Sequence, residues 1–170
     1  MSIDDGFREF VERQWGPLLR TAYLLTGDRG HAEDLVQAAL EKTHRKWARV
    51  ATMEAPVAYV RRAMVNTATS WRRRRRVSEV PLLVSDGPVL DPYGRIDQRH
   101  QMLAALRRLP PRMRAVLVLR YFEDLGEADI ADALGCSVGS VKSQASRGLN
   151  RLREQLAADA LPAAFEESRP

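Results

Sequence analysis

Residues 130–147 read IADALGCSVGSVKSQASR, and no other stretch restricts the possible fold so tightly. Ala131, Gly135 and Val141 stand at the spacing that a helix-turn-helix requires. The small alanine lets two helices approach. The glycine supplies the positive φ of the turn. The valine packs the second helix back on the first. Ser137 then sits where the N-cap of that second helix belongs. Such a unit lays its second helix in the major groove, so the pattern points to DNA as the ligand.

Charge supports the same direction. The chain carries 27 Lys and Arg against 22 Asp and Glu, a formal net charge of +5. Five of the arginines form the single run Arg72–Arg76, and without them 22 basic residues face 22 acidic ones. The cationic excess is therefore one local stripe, which favours a polyanion such as nucleic acid. A membrane surface finds no support, because there is no lipidation motif and no apolar stretch of spanning length. The N-terminus MSIDDGFREF lacks the basic-then-apolar order of a signal peptide. The lone Cys136 allows no internal disulfide and suits core packing in a cytoplasmic protein.

Helical period dominates the chain, and no strand is predicted. Phe7, Phe10, Val11, Leu18, Ala22 and Leu25 give a first helical stretch over 5–25, which Gly16-Pro17 should kink or split. Gly27 ends it and Asp28 caps the next helix, which runs to about Trp47 on an apolar stripe through Leu35, Val36, Ala39 and Leu40. Pro56 opens a third helix reaching about Arg75. Its inward stripe is Val57, Val60, Met64, Thr67, Ala68 and Trp71, and its outward ridge is Arg62, Asn66, Thr69, Arg73 and Arg76.

Residues 77–100 hold three prolines, two glycines and four acidic residues against two basic ones, which reads as a linker. Beyond it come a short helix closed by Pro110-Pro111, another over 112–122, and the helix-turn-helix. The last helix is expected over Val138–Gln155, with a frayed tail from Ala157. The expected fold is all-α: two small helical domains joined by a flexible acidic linker, the second a helix-turn-helix (winged-helix-like) domain.

On the last helix, Ser140, Ser143, Gln144 and Arg147 gather opposite the apolar stripe, with Arg151 further along and Lys142 on the flank. Gln144 can pair with an adenine edge and Arg147 with a guanine or a phosphate, while Lys142 suits a phosphate. A plain solvated face is the competing reading, and the capped turn that precedes it favours DNA. The arginine run likewise extends a ridge that already bears Arg62, Asn66 and Thr69. His31, His44 and His100 lie in separate elements without metal or nucleophile spacing, so no catalysis, metal, cofactor or small-molecule substrate is expected.

Two DNA-facing helices in separate units bring a family to mind through particular blocks. LLRTAYLLTGDRGHAEDLVQAAL resembles the core-binding segment of region 2 in the extracytoplasmic-function (group 4) sigma factors of bacterial RNA polymerase. PVAYVRRAMVNTATSWRRRRR resembles the promoter-melting and −10-reading helix of the same region. The stretch from LRRLPPRMRAVLVLRYF through the helix-turn-helix to RGLNRLR resembles region 4, the −35-reading domain.

The resemblance implies region 2 over 1–76, a linker over 77–100, region 4 over 101–155 and a tail over 156–170. It implies a protein that directs core polymerase to promoters and assists their opening. Asp34, Leu35, Gln37 and Glu41 then fall on the core-binding helix, with Asp34 and Gln37 at positions that dock on the β′ subunit. Ala38 stands where the family often has an acidic residue. Arg62, Asn66, Thr69, Arg72, Arg73 and Arg76 fall at the −10 element; Ser140, Lys142, Ser143, Gln144, Arg147 and Arg151 fall at the −35 element. Implied partners are the β′ and β subunits of core polymerase, promoter DNA, and an anti-sigma protein of the kind that usually restrains this family. The alternative is a stand-alone helix-turn-helix transcriptional regulator, which would leave the 56–76 ridge without a purpose.

Overall fold

A computed structural model describes the backbone of residues 2–77 and 95–166, and the side chains of 2–71 and 98–158. Residues 78–94 of the expected linker lie outside the described residues, and its last six, 95–100, are not linker but the first turns of a helix that begins at Arg95. Among those described, every regular element is helical. In chain order they are α1 (Ile3–Thr26), α2 (Arg29–His44), α3 (Trp47–Val50), α4 (Pro56–Val77), α5 (Arg95–Arg107), α6 (Pro111–Leu117), α7 (Glu127–Leu134) and α8 (Val138–Glu166). A π-helical turn, Val118–Phe122, continues α6.

Helix boundaries follow local chemistry. Ser2 and Asp5 cap the start of α1 reciprocally. Gly27 ends it in the left-handed conformation at φ 76°, with its N–H 2.7 Å from the Tyr23 carbonyl. Asp28 then accepts the His31 backbone N–H at 2.8 Å and opens α2. Gly135, at φ 63°, closes α7 in the same left-handed way, and Ser137 Oγ accepts the Ser140 N–H at 3.0 Å to start α8. The helix-turn-helix is thus built as its residue types predict.

Three further expectations need correction. Gly16-Pro17 does not split the first helix: α1 runs through Pro17. Burial of Leu18, Thr21, Ala22 and Leu25 beyond the proline holds the helix across the missing N–H donor. The second helix stops at His44, and Trp47 begins the separate turn α3, seated against Phe7 and Phe10 with ring centroids at 5.2 and 5.0 Å. The last helix does not fray at Ala157 but continues to Glu166, through an alanine-rich stretch that also contains Pro162.

Two buried clusters form. One joins α1, α2 and α4 through Leu18, Leu35, Val36, Val60, Met64 and Val65, and extends without interruption into Val116, Val118, Leu119, Ile130 and Val141 of the second half. The other belongs to α5, α6 and α8, through Leu106, Leu109, Met113, Leu117 and Leu152. Gly148 permits the close approach of α8 to α6: a Cβ there would fall 2.9 Å from Leu117 Cδ1 and from Met113 Cγ.

Candidate nucleic-acid and polymerase interface

α2 packs flat on α1 and α4 through its apolar stripe, which turns its other face outward. Asp34, Gln37 and Glu41 are exposed on that face. Leu35 differs from them: it has no accessible surface and sits in the core, so its part is to seat α2. Beside Gln37 and Glu41, a shallow groove is walled by Phe7, Val11 and Leu40. His44 reaches from its end to Asp4, with Nε2 and Oδ1 3.2 Å apart.

α4 buries Val60, Met64, Val65 and Thr67, and leaves Arg62 and Asn66 exposed. Thr69 is half-buried, and its hydroxyl donates to the Val65 carbonyl at 2.8 Å. It lines a small cavity of about 60 Å³ that Pro111 and Ala115 close from the second half. Arg72, Arg73 and Arg76 continue the helical backbone, but their side chains lie outside the described residues.

Between α2 and α4 opens a cleft of about 350 Å³. Lys42, Arg45 and Lys46 line one side, and Tyr59, Arg62 and Asn66 the other. Lys42 Nζ donates to Thr67 Oγ1 at 2.9 Å, which fixes one cation at the cleft floor. Cations for a backbone, an aromatic face for a base and an amide for a base edge converge here, as single-strand binding requires. Of this lining, the periodicity of the sequence points to Arg62 and Asn66, and it does not single out Lys42, Arg45, Lys46 or Tyr59. A basic cluster at the C-terminus of a neighbouring helix was the signal available, although nothing local pairs it with Arg62.

In α8, Val141 and Leu152 point inward. Ser140, Lys142, Ser143, Arg147 and Arg151 are exposed, and Gln144 is half-exposed beside them. Lys142 Nζ lies 3.7 Å from Glu127 Oε2 of α7. The described residues hold no cluster of three or more His, Cys, Asp or Glu able to bind a metal ion. None of the helices searched is long and apolar enough to cross a membrane.

Comparison with known proteins decides the family. The sigma-70 region 2 profile matches residues 10–77, and the sigma-70 region 4 profile matches 99–152. An RNA polymerase sigma-E factor of Streptomyces coelicolor is 39% identical over 92% of this chain and 89% of its own length. The chain belongs to the extracytoplasmic-function sigma factors of the sigma-70 family. A relative named ECF RNA polymerase sigma factor SigE, from Mycolicibacterium smegmatis, is 31% identical over 92% of this chain and 62% of its own.

Among solved structures, the sigma factor RpoE of Bartonella quintana, in complex with the anti-sigma factor NepR, matches with a TM-score of 0.71. It is 28% identical over 91% of this chain and 98% of that one. CnrH, in complex with the cytosolic domain of CnrY, shares the fold at a TM-score of 0.64 and 20% identity, covering 92% of this chain and 90% of that one. The protein is a sigma factor for promoter-directed transcription initiation, with α1–α4 in region 2 and the helix-turn-helix in region 4.

Proposed function

We propose that this sigma factor divides its work among three surfaces, two on a region 2 unit over 1–76 and one on a region 4 unit over 101–155, with the two units joined across 77–100, of which 95–100 already belong to α5. The α2 face bearing Asp34, Gln37 and Glu41 docks on the β′ subunit of core polymerase, with Leu35 holding the helix in place. Region 4 adds a contact to the β subunit. The ridge of Arg62, Asn66, Thr69, Arg72, Arg73 and Arg76 lies along the −10 element. The cleft it shares with Lys42, Arg45, Lys46 and Tyr59 receives unstacked bases of the displaced strand. Capture there offsets the few kcal/mol that unpairing costs. α8 enters the −35 major groove: Ser140, Ser143, Gln144 and Arg147 face base edges, and Lys142 and Arg151 face phosphates.

One observation carries the reading: the convergence of cations, Tyr59 and Asn66 in a single cleft on region 2. Each surface alone is a small site, and tethering both on polymerase supplies the affinity. The likeness to sigma factors solved with anti-sigma proteins supports a protein inhibitor as a further partner.

The test is run-off transcription with core enzyme on genomic promoter fragments, with permanganate footprinting of the opened strand. Wild-type protein should give core-dependent transcripts and an open −10 segment. Arg62→Ala with Asn66→Ala should lose the footprint and keep core binding. Tight sequence-specific binding to duplex DNA without core enzyme, and no transcript with it, would overturn the proposal in favour of a stand-alone regulator.

A further inference from the structure

The cleft of region 2 holds its cations in two different ways. Arg45 and Lys46 are exposed on its rim, and among the described residues neither side chain has a hydrogen bond or an ion pair. Lys42, on the last turn of α2, is fixed: its Nζ donates to Thr67 Oγ1 of α4 at 2.9 Å. Thr67 is buried and is not part of the cleft lining, so it supports the lysine from below, on the inward stripe of α4. Its hydroxyl had a local alternative. Thr21, Thr43 and Thr69 each donate to the carbonyl four residues earlier in their helices, at 3.2, 2.8 and 2.8 Å. Thr67 instead accepts from a lysine 25 positions away. The neutrality of this partner matters. Lys142 of α8 lies 3.7 Å from the Glu127 carboxylate, and Arg62 donates to the Asp132 carboxylate at 3.0 Å, so each meets DNA with its charge already balanced. Lys42 is oriented by a hydroxyl that leaves its charge whole, and no carboxylate pairs with it among the described residues.

We infer that Thr67 is a positioning residue for promoter opening, holding the Lys42 ammonium at the cleft floor as a preset, uncompensated cation for one phosphate of the displaced strand. The inference rests on the strand-capturing role of the cleft set out above. An ammonium is a compact point charge without the planar fork of a guanidinium, which suits it to a phosphate oxygen rather than to a base edge. A phosphate held at Lys42 leaves its base in the cleft that Tyr59 and Asn66 line from the other side. Ordering a long, flexible side chain at the moment of binding weakens affinity. Thr67 settles that ordering when the chain folds, whereas Arg45 and Lys46 must still be ordered when the strand arrives. Thr67 thus acts on the strand through Lys42 and touches no nucleotide itself.

The test uses holoenzyme, assembled from the full chain and core enzyme, on the genomic fragment that gives the strongest transcript. Permanganate reactivity of the −10 segment measures the opening equilibrium at a series of salt concentrations. Lys42→Met should reduce opening and make its log–log salt dependence shallower by about 0.7, the share of one single-strand phosphate contact. Thr67→Val removes the hydroxyl at nearly constant volume and keeps the charge. It should reduce opening roughly twofold to tenfold and leave the salt slope where it is. Thr67→Ser keeps the hydroxyl and should open as wild type does. In the Lys42→Met background, Thr67→Val should cause no further loss. If the valine variant folds poorly, Thr67→Ala and Thr67→Ser, which differ by the hydroxyl alone, give the same comparison.

A valine variant that opens the promoter as well as wild type would overturn the inference. So would a loss that persists in full without Lys42, which is what a packing role alone predicts for Thr67, or a Lys42→Met slope equal to that of wild type. Failure of the promoter reading is distinct: the wild-type chain then yields no core-dependent transcript, and the inference falls with it before any variant is compared.

Discussion

Asp28 follows the glycine that ends α1 and caps the start of α2, and its chemistry makes that cap titratable. The His31 backbone N–H, donating to the carboxylate, holds Asp28 below its ordinary value against the opposing effect of burial. A lowered folded-state pKa stabilises the fold at pH above the usual carboxylate range, and this contribution is lost as pH falls through the lowered value. Asp28→Ala should cost about 1 kcal/mol near neutrality. Asp28→Asn caps without titrating, so it should lose less stability in acid than wild type does; urea melts at a series of pH values check both. The caps at Asp28 and Ser137 were legible because capping is chemistry between residues three apart. Gly148 was not legible in the same way: its cause is the pressure of Leu117 and Met113 from another helix. Gly148→Ala gains up to about 1 kcal/mol of helix propensity. It meets roughly 1–3 kcal/mol of overpacking in a core that lacks room. Denaturant titration should show a net loss of stability.

At the scale of elements, periodicity exposed faces well and partners poorly. The stripe of α4 was readable at Val60, Met64 and Thr67, all buried. Its ridge was readable at Arg62 and Asn66, both exposed. The cleft was only half readable, since Lys42, Arg45 and Lys46 arrive from α2 and the turn that follows it. The π-turn was invisible: the bond from Glu123 N to Val118 O skips one residue more than an α-helix does, and that from Leu125 N to Leu119 O skips two more. That turn leaves Tyr121 and Phe122 exposed and sets Glu123 against region 2. The assigned faces predict different failures. Tyr59→Ala should reduce strand opening by roughly 1–3 kcal/mol of lost stacking per base, read by permanganate reactivity, and spare core binding. Gln144→Ala should relax preference at one −35 base pair by about 1–3 kcal/mol. Lys142→Ala should instead weaken all promoters evenly and lower the salt slope by about one. Binding of holoenzyme to a panel of −35 variants separates these two outcomes.

For the whole molecule, residue patterns predicted two helical units and gave no sign that the units share a core. The reason is physical: Arg62 and Asp132 are 70 positions apart, and an interface between folded units has no period in the sequence. The shared cluster couples the stabilities of the halves in the free chain. Trp15, Trp47 and Trp71 are the tryptophans of the chain and all lie in the first half; Trp71 lines the cavity that Pro111 and Ala115 close, so a Trp71→Phe background leaves Trp15 and Trp47 to report region 2. Leu109 is buried in the second cluster, away from them. Leu109→Ala should destabilise region 4 by roughly 2–5 kcal/mol, through lost transfer energy and the cavity left behind. Were the halves independent, the tryptophan transition would not move. With the shared core, unfolding of region 4 strips Leu18, Val60, Met64 and Val65 of their cover, and the tryptophan midpoint should fall with that of the far-ultraviolet dichroism. The fall is bounded by the free energy of the interface, so a shift smaller than the full loss measures that coupling directly. Adding Glu123→Gln and Asp132→Asn to the Leu109→Ala chain should shrink the shift further, because the contacts of Glu123 with Arg61 and of Asp132 with Arg62, which help to transmit it, are already weakened.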